Sequence, residues 1–178
     1  MDKNSFKKIV IRESEKRFEV NNSFVQQNTN FCWTFDNPES TMSFGSTLTK
    51  KIPDLSILLL YGPLGAGKTT LVKGIAKSLG ILEPITSPTF PLSQHYPSGS
   101  PPLIHLDLYR LEESNAANEF FLQEEEQLKL LGGIMIIEWP ERLTLPLDDA
   151  WRGKLDYQSD NQDRLFQLLP PLNTDSKS

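Results

Sequence analysis

The chain has 178 residues, 38% of them hydrophobic, which is the size of one domain with a single sizeable core. Its formal net charge of −5 argues against a free-standing nucleic-acid binder, because contacts to phosphates need clustered lysine and arginine. We expect a cytoplasmic protein without a membrane segment: no stretch nears the roughly eighteen apolar residues of a membrane helix, no signal-peptide region is visible, and Cys32 is the single cysteine.

The first part of the chain is mostly polar and ends in a stretch rich in Asn and Gln. We therefore predict an N-terminal extension or linker over residues 1–30, a single domain over 31–169 and a C-terminal tail over 170–178.

Apolar runs and turn signals divide this domain into alternating strands and helices. Strands are predicted at 31–35, 57–61, 103–107 and 133–138, and two further strands, 151–157 and 164–169, form an antiparallel hairpin. Helices are predicted at 38–50, with Asp36 or Asn37 as its cap, at 70–79 and at 118–131. Continuous apolar strands that alternate with helices indicate an α/β fold. Its central sheet is largely parallel with helices on both faces, and the hairpin extends or flanks it.

The segment GPLGAGKT at 62–69 fits the phosphate-binding pattern G-x-x-x-x-G-K-[ST] and lies between a predicted strand and a predicted helix. Glycines let backbone N–H groups approach phosphate oxygens, and the N-terminus of the helix favours an anion. Lys68 would reach the β- and γ-phosphates, and the hydroxyl of Thr69 would bind Mg²⁺. The predicted nucleotide-binding residues of this segment are Gly62, Gly65, Ala66, Gly67, Lys68, Thr69 and Thr70.

Two acidic residues end predicted strands and are the candidates for metal chemistry beside this loop. Asp107 closes one apolar run and Glu138 closes another, and the carboxyl ends of parallel strands lie at the same edge of a sheet. Either carboxylate could bind Mg²⁺ directly or through water, and either could orient an attacking water. The alternative is that each one only marks where a buried strand reaches the surface.

Other polar residues near these segments carry weaker signals. Ser87 and Thr89 lie after the phosphate-loop helix, where a segment that senses the γ-phosphate is expected, although Ser-Pro-Thr is also an ordinary turn. His95 and His105 have no Cys or His neighbour at metal-ligand spacing, which favours a structural role for both, although strand alternation places His105 on the same face as Asp107. We expect Trp139 to fix the carboxylate of Glu138 by packing or to meet a partner.

Four segments in this order resemble the TsaE (YjeE) family of P-loop ATPases: the phosphate loop, Ser-Pro-Thr-Phe at 87–90, His-Leu-Asp-Leu-Tyr-Arg-Leu at 105–111 and Glu-Trp-Pro-Glu at 138–141. The resemblance implies a P-loop NTPase fold, so that 31–169 is an ATPase domain, and slow hydrolysis of ATP with Mg²⁺. It also implies a role in threonylcarbamoylation of tRNA adenosine next to the anticodon. The implied partners are TsaB and TsaD, which perform the transfer, and tRNA is reached only through that complex.

Matching positions extend the resemblance to individual residues. Thr69 and Glu138 look like the Mg²⁺ ligands, and Lys68 and Asp107 resemble the phosphate lysine and the essential aspartate; Asp107, Glu138 and Lys68 are thus the implied catalytic residues. The segment 37–41 resembles a helix start that borders the nucleotide, which adds Pro38 and Thr41 to the implied ATP-binding residues. Arg164 matches an arginine of the terminal hairpin and is also implied to approach ATP.

Other classes of P-loop protein are weighed against this reading. A small-molecule kinase, the main alternative, usually closes an arginine-rich lid over the phosphates, and no such lid is visible here. A GTPase would need an Asn-Lys-x-Asp segment, which the chain lacks. A binding module that is controlled by nucleotide without useful hydrolysis would use the same residues as an ATPase, so the sequence leaves it open.

Overall fold

The computed structural model describes residues 8–9, 31–158 and 163–172. In this part of the chain, eight strands form one sheet with the order β1-β2-β8-β7-β3-β6-β5-β4. The strands are β1 (Lys8–Ile9), β2 (Phe31–Phe35), β3 (Ile57–Tyr61), β4 (Ser93–Tyr96), β5 (Leu103–Asp107), β6 (Ile134–Glu138), β7 (Trp151–Tyr157) and β8 (Arg164–Leu169). The helices are α1 (Pro38–Lys51), α2 (Lys68–Ser78) and α3 (Ser114–Leu131), with a 3₁₀ turn at Pro140–Arg142.

The centre of the sheet is parallel, as the sequence predicts. β3 pairs in parallel with both β6 and β7, and β6 pairs in parallel with β5. On the far side of β7, the strands β8, β2 and β1 follow in antiparallel pairs, so the C-terminal hairpin extends the sheet. At the opposite edge β4 runs antiparallel to β5. We did not predict β4, because its sequence Ser-Gln-His-Tyr has no apolar run.

Helices cover both faces of the sheet, and strand alternation decides which side chains meet them. Leu58 and Leu60 belong to the cluster beneath α1 and α2, whereas Leu59 belongs to the cluster on the opposite face, where α3 contributes Phe121 and Leu128. Successive side chains of a strand point to opposite faces, so one fully apolar strand supplies both layers. The predicted α/β fold with helices on both faces is confirmed.

Several predicted boundaries were wrong by a few residues. The first helix runs one residue further than predicted, and Asn37, rather than Asp36, caps its backbone by accepting a hydrogen bond from the Ser40 N–H at 2.7 Å. α2 begins two residues early, at the lysine of the phosphate loop, and α3 begins at Ser114 instead of 118. The prediction for α3 followed its large apolar residues, but the small side chain of Ala117 already packs in the core.

Two glycines allow α1 and α2 to cross with their backbones in contact. A Cβ atom built on Gly74 would lie 2.0 Å from the carbonyl oxygen of Met42, and one built on Gly45 would lie 2.4 Å from that of Leu71. Only glycine permits this approach. The crossing holds the beginning of α1 beside the loop that precedes α2.

The predicted extension and tail fall largely outside the described residues. Of residues 1–30 only Lys8–Ile9 are described, and they pair with Cys32 and Trp33 as the outermost strand. Of the predicted tail, 170–172 are described and 173–178 are not. Among the helices in the described ranges, none is long and apolar enough to cross a membrane.

Candidate nucleotide-binding site

A cavity of about 400 Å³ lies at the carboxyl ends of β3, β5 and β6. Ligands of open α/β sheets bind at this end of the strands. The residues that line the cavity are Leu64, Gly65, Ala66, Gly67, Lys68, Thr69, Thr70, Ser87, Thr89, Asp107, Tyr109, Glu138 and Trp139. Segments that are far apart in the sequence therefore meet at this cavity. Its lining includes the predicted catalytic residues Lys68, Asp107 and Glu138.

The phosphate loop has the backbone that its glycines predict. Gly65 and Gly67 have φ angles of 76° and 101°, in the region that side chains disfavour. Gly67 is also the residue before α2, and no side chain caps the helix there. The first N–H groups of a helix lack partners within it, so this end of α2 offers donors and a positive dipole to an anion.

Lys68 is almost fully buried and lies along the wall of the cavity. Its Nζ donates to the carbonyl oxygens of Gly62 at 2.7 Å and Pro63 at 3.1 Å, and it lies 4.1 Å from the ring centroid of Trp139. Burial lowers the pKa of Lys68, and the negative charge of Glu138 opposes this shift. The ammonium group is therefore held by the loop and an aromatic face at the wall of the cavity.

Glu138 connects the phosphate loop to the strand beside it. Its Oε1 accepts a hydrogen bond from the hydroxyl of Thr69 at 2.8 Å, and the same oxygen lies 3.0 Å from Nε2 of His105. The three residues come from α2, β6 and β5. The two predicted metal ligands, Thr69 and Glu138, are therefore in direct contact.

Asp107 is held by the segment that we predicted to sense the γ-phosphate. Its Oδ2 accepts hydrogen bonds from the hydroxyls of Ser87 and Thr89, the latter at 3.2 Å, and its Oδ1 accepts one from the backbone N–H of Tyr109 at 3.1 Å. Ser87 and Thr89 thus act on Asp107 rather than forming an isolated turn. Their role as a switch stays a prediction.

Aromatic rings form one side of the cavity. Trp139 has a left-handed backbone, with a φ of 60°, and its ring centroid lies 4.8 Å from that of Tyr109. The ring of Trp139 contacts Lys68 and Tyr109, so it covers the lysine. Packing of Trp139 against Glu138 stays a prediction.

Four of the predicted ATP-binding residues do not line the cavity, whereas the others do; the four are Gly62, Pro38, Thr41 and Arg164. Pro38 is exposed at the start of α1, and Thr41 is buried with its Cγ2 4.0 Å from where a Cβ of Gly67 would lie. The guanidinium of Arg164 lies 4.3 Å from the ring centroid of Tyr157. Contact of these four residues with ATP stays a prediction.

Four residues of the site were missed or underrated by sequence reasoning: His105, Tyr109, Trp139 and Tyr157. Strand alternation could have found His105, since it lies two residues before Asp107 on the same face. Tyr157 carries no such signal. Its hydroxyl donates to the carbonyl oxygen of Leu64 at 2.9 Å, across 93 positions of sequence.

The oxygen atoms around the cavity fit Mg²⁺. Thr69 offers a hydroxyl, and Glu138 and Asp107 offer carboxylates, which are the hard ligands this ion prefers. Within the described ranges, no group of three or more His, Cys, Asp or Glu residues could hold a metal by itself. Mg²⁺ commonly keeps several waters and completes its shell with substrate phosphates, so one or two protein ligands suffice.

Comparison with known proteins identifies the family of this chain. A family model described as "Threonylcarbamoyl adenosine biosynthesis protein TsaE" matches residues 35–166, which include every element from α1 to β7 and the first three residues of β8. The chain belongs to the TsaE family. The predicted resemblance is confirmed.

Relatives and a solved structure support the same assignment. The tRNA threonylcarbamoyladenosine biosynthesis protein TsaE of Nostoc sp. is 48% identical over 105 residues, 59% of this chain and 65% of the relative. The protein of that name from Synechocystis sp. is 44% identical, over 58% of this chain and 66% of the relative. In both alignments the chain spans just under two thirds of the relative's length. The crystal structure of Bacillus subtilis YdiB has a TM-score of 0.61 at 28% identity, covering 83% of this chain and 89% of YdiB.

Proposed function

We propose that this chain is a Mg²⁺-dependent ATPase that supports threonylcarbamoylation of tRNA adenosine next to the anticodon, acting with TsaB and TsaD. The observation that carries the ATPase proposal is the direct contact of Thr69 with Glu138 at the mouth of a glycine loop. Such a contact joins the loop that holds phosphate to the carboxylate that serves the metal. Membership of the TsaE family supports the place in tRNA modification.

Different residues bind the phosphates and the metal. Backbone N–H groups at the start of α2 and the ammonium of Lys68 bind the phosphates. This ammonium donates to two carbonyl oxygens of the loop. Thr69 and Glu138 hold Mg²⁺ directly or through water. The ion, when bound, neutralises the charge that develops on the phosphates.

In this proposal, Asp107 orients the water that attacks the γ-phosphate. It lies at the carboxyl end of β5, directly opposite Glu138 in the strand pairing, and it lines the cavity. Its two oxygens already accept hydrogen bonds from Ser87, Thr89 and a backbone N–H. A water bound here would share the carboxylate with these donors.

Hydrolysis is favoured over transfer to a small acceptor by the charges around the cavity. In the described part of the chain, no arginine lines the cavity. Arg110 lies 4.2 Å from the ring centroid of Phe90, and Arg142 donates to the carbonyl oxygen of Tyr109 at 3.2 Å. A kinase lid would instead place arginines on the phosphates.

The partners and compartment complete the proposal. TsaB and TsaD transfer the threonylcarbamoyl group, and this chain supports turnover of their complex in the cytoplasm, touching tRNA only through them. The net charge of −5 agrees with recognition of proteins rather than of bare RNA.

Reconstitution tests the proposal. TsaB, TsaD, threonylcarbamoyl-adenylate, ATP and unmodified tRNA are combined with and without this chain, and modified tRNA is counted per complex. We expect multiple turnovers only when the chain, ATP and Mg²⁺ are all present. Multiple turnovers without the chain would refute the role in tRNA modification. Absence of ATP binding in calorimetry would refute the ATPase.

A further inference from the structure

His105 lies beneath the candidate metal site and is fully buried. It belongs to β5, two residues before Asp107 and on the same face of the sheet, and it is opposite Ile136 of β6 in the strand pairing. From this position its Nε2 reaches up to Oε1 of Glu138 at 3.0 Å. Glu138 is only 3% exposed, so the pair is shielded from solvent.

The chemistry of the two side chains decides which atom donates. An ionised carboxylate only accepts hydrogen bonds, so the proton of this contact is carried by Nε2 of His105. A neutral ring then has a lone pair on Nδ1. Among the described residues, no hydrogen-bond partner reaches that buried nitrogen. Burying an unpaired polar atom is unfavourable, and an apolar side chain of similar size would avoid it.

Oε1 of Glu138 therefore receives two donors, the hydroxyl of Thr69 at 2.8 Å and the ring N–H of His105. They approach from different elements, α2 and β5, so the carboxylate is fixed from two sides. Partners of this kind orient the groups that bind a metal and commonly change its affinity about 10- to 100-fold.

We propose that His105 is a positioning residue for the metal: its Nε2–H holds Oε1 of Glu138, so that Oε2 is the oxygen presented to Mg²⁺ or to its bound water. The inference rests on the proposed Mg²⁺–ATP function. The Thr69 hydroxyl gives its hydrogen to the same oxygen, so its own lone pairs stay available for the metal. A purely space-filling histidine would not hold Oε1.

The alternatives are separated by the variants His105→Leu and His105→Gln. Leucine fills space without a donor, whereas glutamine keeps an N–H that can reach the carboxylate. Mn²⁺, a spectroscopic substitute for Mg²⁺, is titrated in the presence of ATP and followed by electron paramagnetic resonance. Calorimetry measures ATP binding without metal, and thermal unfolding is recorded for each variant.

The matched control is His95→Leu. His95 is the other histidine of the chain, and its Nε2 also contacts a glutamate, Glu124, at 2.5 Å, but outside the cavity. We expect His105→Leu to weaken Mn²⁺ binding at least about tenfold while metal-free ATP binding changes less than about twofold. His105→Gln should recover most of the loss, and His95→Leu should change neither affinity.

A double-mutant cycle isolates the contact. In a Glu138→Gln background, His105→Leu should produce little further loss of Mn²⁺ affinity, because the partner it orients is altered. An equal loss in both backgrounds would overturn the inference. So would Mn²⁺ binding by His105→Leu that matches wild type. Wild-type protein that binds no Mn²⁺ with ATP would overturn the proposed function and this inference with it.

One measurement needs no variant. Two-bond ¹⁵N–¹H correlation spectra of the wild-type protein report which ring nitrogen of His105 is protonated. We expect the Nε2-protonated form. A ring protonated only on Nδ1 could not donate to Glu138 and would overturn the inference, even if His105→Leu failed to fold.

Discussion

Replacing Gly74 by alanine should damage the contact that holds α1 against α2. The added Cβ would lie 2.0 Å from the carbonyl oxygen of Met42, and real Cβ atoms essentially never approach closer than 3.0 Å. The two helices must therefore separate by about 1 Å at this point. Because the obstructing atom belongs to the backbone of α1, no change of side-chain rotamer relieves the clash.

The expected change in the free energy of unfolding combines two opposing contributions. Overpacking a buried contact costs about 1–3 kcal/mol, and a clash with backbone belongs near about 3 kcal/mol. Alanine has a higher helix propensity than glycine, which stabilises the folded protein by about 1 kcal/mol. The free energy of unfolding should fall by about 2 kcal/mol. At about 2–4 °C per kcal/mol for a protein of this size, Tm should fall by about 4–8 °C.

Thermal unfolding followed by circular dichroism measures this loss, and calorimetry with ATP measures its effect on the site. Lys73→Ala is the matched control, because it removes an exposed side chain of the same helix and should change stability by less than about 0.5 kcal/mol. Separation of α1 also moves Thr41 away from Gly67, so ATP binding should weaken in Gly74→Ala. An unchanged or raised Tm would mean that the added Cβ meets no backbone clash, and the close crossing would then be wrong.

Three further changes test the site itself. Lys68→Ala should weaken ATP binding at least about tenfold, because a charged hydrogen bond contributes about 1.5–3 kcal/mol. The control Lys73→Ala should leave ATP binding unchanged. Equal ATP affinities of Lys68→Ala and wild type in calorimetry would refute the phosphate site. Glu138→Ala should retain ATP but lose Mg²⁺-dependent release of phosphate, and hydrolysis at the wild-type rate would assign the metal elsewhere. Tyr157→Phe removes the hydrogen bond to Leu64 and should lower stability by about 1 kcal/mol in chemical unfolding; no change would show that this bond does not fix the loop.

The strand, glycine loop and helix around 62–69 could be predicted because their signal is local. The residues of the loop are consecutive, and the flanking strand and helix have clear apolar patterns. Binding of phosphate by this loop stays a prediction. Asp107 and Glu138 were predictable for a related reason, since carboxyl ends of parallel strands share one edge of a sheet. The structure places both at the cavity with the loop.

The weaker predictions depended on contacts between distant segments. β4 was missed because its side chains lack an apolar pattern, and its pairing with β5 shows only in the folded sheet. The sequence also favoured a structural role for His105, because no metal-ligand spacing surrounds it. Its relation to Glu138 exists only once β5 and β6 lie side by side.

Sequence alone therefore determined the alternation of strands and helices and the family, and it predicts the class of ligand. These depend on short patterns, in which the spacing of residues fixes backbone geometry and chemistry together. Tertiary structure decided which groups act on each other: Thr69 and His105 on one oxygen of Glu138, Ser87 and Thr89 on Asp107, and the aromatic cover over Lys68. The physical reason is that a hydrogen bond acts over about 3 Å in space, and only packing of the sheet and its helices brings residues that are remote in sequence within that range.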